Sequence, residues 1–98
     1  MFLHDITVTD STPKLNAAFK KLLPLAEKWK TIGILIGLES HILENIKKDE
    51  EGVQNCLGKM LSEWLKIADP PPTWKDIIDA VQAVDPSRAE EMKKYLAN

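Results

Sequence analysis

Residues 53–65 read Val53-Gln54-Asn55-Cys56-Leu57-Gly58-Lys59-Met60-Leu61-Ser62-Glu63-Trp64-Leu65. Apolar side chains stand at 53, 56, 57, 60, 61, 64 and 65, so the steps alternate three and one and keep one face of an α-helix. A strand would need alternation by two, which this stretch lacks. The spacing therefore predicts a long central helix. Gly52 and Gly58 each cost about 1 kcal/mol relative to alanine in a helix, so tertiary packing must hold this element. Gly58 also leaves room for a close helix approach.

Toward the C-terminus, Pro70, Pro71 and Pro72 stop that helix, because each lacks an amide donor and disfavours α geometry in the residue before it. Thr73 with Asp76 three residues later has the form of a capping box, Asp replacing the usual Glu or Gln. The stripe Trp74, Ile77, Ile78, Val81 and Val84 continues it as a fifth helix. Asp85 followed by Pro86 repeats the start signal, and Ala89, Met92, Tyr95 and Leu96 supply the face of a sixth. Glu90 and Glu91 are spaced to pair with Lys94 on its surface.

Toward the N-terminus, Ile42, Leu43 and Ile46 mark a third helix opening near Glu39 or Ser40. Trp29, Ile32, Leu35 and Ile36 form a short second helix, with Gly37 placed to end it in a left-handed conformation. Leu15, Ala18, Phe19, Leu22 and Ala26 give the first helix its stripe, with Thr12 as N-cap and Pro13 at the first turn. Pro24 interrupts that stripe and predicts a kink or break. Ile6 and Val8 alternate with Asp5, Thr7 and Thr9 as a short extended segment that cannot stand alone, so residues 1–11 read as a linker or tail and 12–98 as one helical domain.

The composition agrees with one domain. A chain of 98 residues, 44% hydrophobic and 29% charged, has material for one core and a soluble surface. Its formal charge of −2 offers no net positive field for nucleic acid or anionic lipid. The longest apolar-plus-glycine run, Ile32 to Leu38, is far short of the roughly 18 residues that span a bilayer. Met1 to Ile6 shows neither the basic start nor the apolar core of a secretory signal. Cys56, the single cysteine, falls in the apolar stripe, where a reduced packed thiol suits the cytoplasm.

The order and spacing of several landmarks name a family where periodicity alone does not. They are Trp29-Lys30-Thr31-Ile32-Gly33, Leu35-Ile36-Gly37-Leu38, Ile42, Ile46, Cys56-Leu57, Met60-Leu61-Ser62-Glu63-Trp64-Leu65, Pro72-Thr73-Trp74, Ile77 and Ala80-Val81. Together they resemble a death domain across residues 14–97, nearly the whole chain. The resemblance implies an all-α, six-helix antiparallel bundle of Greek-key topology, with Trp29 and Trp64 as its core aromatics. No Arg-x-Asp-Leu motif of the death-effector type is present.

It also implies a non-catalytic module that binds other death-fold domains, itself or a different one, in apoptotic or innate-immune signalling. Three asymmetric contacts build assemblies in that family, and the resemblance assigns residues to each. Lys28 and Lys30 fall on the second-helix contact. Lys66, Asp69, Asp85 and Arg88 fall on the contact between the end of the fourth helix and the helix 5–6 corner. Lys47, Lys48, Asp49 and Glu51 fall on the third-helix contact. The local account of that last run needs no partner: Glu44 is spaced to pair with Lys48, and the acids favour the positive end of the next helix.

Chemistry of other kinds finds little support. His4, His41 and Cys56 are scattered, unlike the clustered ligands of a structural zinc site. Ser62, His41 and Asp76 can be named as a triad, but no nucleophile elbow accompanies them. No glycine-rich phosphate loop follows a strand, so no cofactor is expected. The competing reading is a structural or autoinhibitory domain that packs on neighbours in its own chain, which would expose an apolar patch when isolated.

Overall fold

Helix follows helix through the computed structural model, which describes residues 11–97 and has no strand among them. The elements are α1 (Leu15–Leu22), a 3-10 helix (Leu23–Lys28), α2 (Trp29–Leu35), α3 (Ser40–Asp49), α4 (Val53–Ile67), α5 (Trp74–Val84) and α6 (Pro86–Ala97). The extended reading at Ile6 and Val8 lies outside the described residues.

The central stripe of α4 is buried as its spacing requires: Cys56, Leu57, Met60, Leu61 and Trp64 all lie in one apolar cluster. Around it α1, the 3-10 helix, α2 and α3 each lay a face on α4, while α5 packs on α2 and α6. Trp29, Leu43, Ile77 and Met92 bring the other elements into the same cluster. Among the described residues the buried core is hydrophobic, and none of the buried ones is polar or charged.

Start and stop signals act as their chemistry demands, with one exception. Pro24 sits in the first turn of the 3-10 helix, and Leu25 leaves helical geometry at φ −107, ψ 19, so the stripe breaks there. Gly37 takes φ +101, the Leu38 amide donates to the Gly33 carbonyl at 3.0 Å, and the Gly37 amide donates to Ile34 at 3.1 Å. That is a Schellman ending, closed by burial of Leu38. Thr73 and Asp76 form a full capping box. The exception is Thr12: α1 begins at Leu15 with Lys14 as N-cap. The Ser11 carbonyl instead accepts the Trp74 amide at 3.0 Å and Pro13 is buried, so this segment is tied across the fold to α5 before the helix can start.

The stripes are narrower than their spacing suggests. Leu35 and Tyr95 were expected inside and are 47% and 54% exposed; Val53, the first residue of α4, is 40% exposed. In α2 the inner face is carried by Trp29, Ile32 and Gly33, which turns Leu35 outward with Ile34.

Candidate functional site

Among the described residues no charged side chain is buried, so the site is built from charged ends and corners. At the α2–α3 seam, Lys30 donates to the Glu44 carboxylate, joining two helices. Glu44 therefore does not pair with Lys48, the partner its own helix offers, because the lysine of the neighbouring helix reaches it first. The hydrogen bond and charge of Lys30 hold the Glu44 carboxyl below its ordinary range. A lowered folded pKa contributes stability above the unfolded pKa that is lost as pH falls through the folded one. Lys30→Met should thus be less stable than wild type at neutral pH by a small amount, and the difference should vanish in acid. Urea midpoints at several pH values check this. Lys28, exposed at the end of the 3-10 helix, borders Val53 and Gln54 of α4 across a shallow hollow.

Lys47, Lys48, Asp49 and Glu51 are all exposed at the α3–α4 corner, two cations followed at once by anions. Beneath them Cys56 is buried with its Sγ 3.9 Å from the Glu50 carbonyl. Burial pushes the thiol pKa up, and Glu50 adds to the effect. Such a thiol is packed and unreactive rather than poised as a nucleophile.

The α5–α6 corner is occupied internally. Asp85 accepts the Arg88 amide at 3.2 Å and so caps α6. The Arg88 guanidinium donates to the Lys21 carbonyl, from Nη2 at 2.7 Å and Nε at 3.2 Å, and to Glu91 at 2.8 Å. This fork ties the C-terminal end of α1 to α6. Arg88→Ala should cost about 1.5 kcal/mol, the lower end for hydrogen bonds from a charged donor, and Arg88→Lys should recover little because an ammonium cannot reproduce the fork. Thermal unfolding of the two variants reads the difference. Glu91 is thereby held by Arg88, and Glu90 pairs with Lys93 at 3.1 Å, so neither expected contact with Lys94 forms.

Asp69 belongs to a different surface, a groove of about 550 Å³ between the α2–α3 corner and the end of α4. Ile36, Ile42 and Ile67 give it an apolar floor, and Glu39, Asp69 and Asp76 stand around it. No lysine or arginine lines it. Lys66, one residue from Ile67, is turned to Glu63 at 3.6 Å.

Against known proteins, the chain matches no family model, no curated protein and no solved structure. Asp69 follows the end of α4 and lines the groove, while Asp85 and Arg88 stand at the α5–α6 corner, the two separate places at which the resemblance puts them. The groove itself was missed, because Glu39 and Ile67 show no motif and meet Asp69 only in the folded chain. Asp76, one of the three residues of the nameable triad, spends a carboxylate oxygen on the Thr73 amide, and the His41 ring faces Glu39 at 3.8 Å. Among the described residues no three potential ligands gather around a metal position, and no helix is long and apolar enough to cross a membrane.

Proposed function

We propose that this domain is a non-catalytic interaction module of the death-fold type, with the six-helix Greek-key arrangement, that binds another death-fold domain in signalling. The observation that carries the proposal is the division of the described residues into an apolar buried core and a charged surface, on which the groove at Glu39, Asp69 and Asp76 carries one sign only. Enzymes bury convergent polar groups beside a substrate pocket. Interaction modules instead place charge on the outside, where complementary patches steer encounter and choose the partner. The packing of α4 under four other elements and the burial of Trp29 and Trp64 support the same reading.

A panel of purified death-fold domains mixed with this one, followed by size exclusion and pull-down, tests the idea. Reversal of Lys47 and Lys48 to Glu, or of Asp69 to Lys, should weaken the captured complex by roughly tenfold or more with helicity unchanged. Binding to no member of the panel, or equal binding by every reversal, would count against it.

Ile34 and Leu35, side by side at 55% and 47% exposure, favour a second reading in which α2 packs on another domain of the same polypeptide. Ile34→Ser with Leu35→Ser separates the two. It should leave capture of a death-fold partner intact under the first reading and release an interdomain contact under the second.

A further inference from the structure

The groove at the α2–α3 corner has an electrostatic counterpart on the same molecule. Lys14, Asn16, Ala17, Lys20, Lys21 and Tyr95 line a hollow of about 390 Å³ between α1 and α6, with three lysines and, among the described residues, no carboxylate. The Lys21 ammonium stands 3.3 Å from the centroid of the Tyr95 ring, and that ring is 54% exposed. This cation–aromatic stack holds two long side chains in one arrangement before any partner arrives, which lowers the entropy lost on contact. None of these four charged or aromatic residues is among those the family resemblance nominates.

Resting on the interaction-module reading, we infer that the acidic groove receives the α1–α6 lysine face of a second copy of this chain. Glu39, Asp69 and Asp76 carry three negative charges around an isoleucine floor, and Lys14, Lys20 and Lys21 carry three positive ones around an aromatic ring. Apolar meets apolar at the centre, and opposite charges meet at the rim. The chain as a whole carries −2, so distant copies repel and only a local match of this kind brings them together.

The groove and the face share no residue, so both are free on every copy. A contact that uses one surface of each copy is heterologous and extends head to tail unless its rotation closes a ring. Each surface is shallow, which places a single contact among small, transient interfaces. Association therefore grows with concentration and falls with salt, since the rim charges are solvent-exposed.

Sedimentation velocity across a concentration series, at low and high salt, gives the test. Wild type should shift from monomer to larger species as concentration rises at low salt, and return to monomer at high salt. Glu39→Lys with Asp69→Lys, or Lys14→Glu with Lys20→Glu, should each weaken self-association by at least about tenfold. Mixed in equal amounts, the two variants should associate again, because each reversed surface then finds its opposite on the other protein. The milder pair Glu39→Gln with Asp69→Asn repeats the groove arm if reversal perturbs the fold, as circular dichroism would show.

A wild type that stays monomeric throughout, variants that associate as wild type does, or a mixture that fails to recover would each overturn the inference. Capture of a different death-fold domain is read separately, so a monomeric wild type that still binds one removes this contact and leaves the module reading standing.

Discussion

Trp64→Ala should lower the unfolding free energy by about 3–5 kcal/mol, the range for removing a buried aromatic ring. Trp64 is 3% exposed on the inner face of α4, the helix on which four other elements lean. Truncation there removes contact area and leaves a cavity bounded by side chains from separate elements, which cannot all close on it at once. A small domain is stable by only about 5–15 kcal/mol, so the variant sits near the edge of folding. With urea slopes of about 1–3 kcal/mol/M, the midpoint should move by roughly 2 M, followed by far-UV circular dichroism. Trp64→Phe keeps most of the ring volume and should lose much less. A midpoint unmoved in Trp64→Ala would mean that α4 is not the central helix.

Most of this interior was legible because burial on a helix is periodic and needs only the helix's own sequence. The run from Cys56 to Trp64 declares its inner face in steps of three and one, and those residues are buried. The capping box at Thr73, the break at Pro24 and the left-handed Gly37 were legible for the same reason, each being local chemistry. The reading failed where a distant residue intervened. Glu44 has a suitable lysine one turn along α3, but Lys30 of α2 takes it. Thr12 and Pro13 form a good start signal, but the Ser11 carbonyl is already committed to the Trp74 amide.

The surface was harder, because a site of this kind is a meeting of segments. The nominated residues do lie outside the core, yet Arg88 turns out to spend its fork on the carbonyl of Lys21, 67 positions away in sequence. The acidic groove needs Glu39 from one corner, Asp69 from a loop and Ile67 from the end of α4, and no spacing rule connects them. Stripes of apolar residues likewise hide the role of glycine. The absent side chain of Gly33 leaves no mark in a count of hydrophobic positions, although it decides which face of α2 turns inward.

Gly33→Val should destabilise the fold by about 3 kcal/mol, toward the upper end for overpacking a core. A Cβ at Gly33 would stand 2.6 Å from Leu43 Cδ2 and 3.3 Å from Met60 Cγ, and both neighbours are fully buried, so either must repack inside the core to make room. The usual gain of about 1 kcal/mol for replacing a helical glycine cannot offset this displacement. Gly58→Ala gives the opposite sign: its Cβ would meet the Phe19 ring at 3.6 Å, an ordinary contact, so the helix gain of about 0.5–1 kcal/mol should survive. The Gly33 clash acts on α3, which carries both Glu44 and Ile42. Pushing α3 from α2 would part Lys30 from Glu44 and spread the groove that begins at Ile36. Gly33→Val should therefore flatten the acid dependence of stability ascribed to Glu44, whereas a destabilisation confined to α2 would leave that dependence in place.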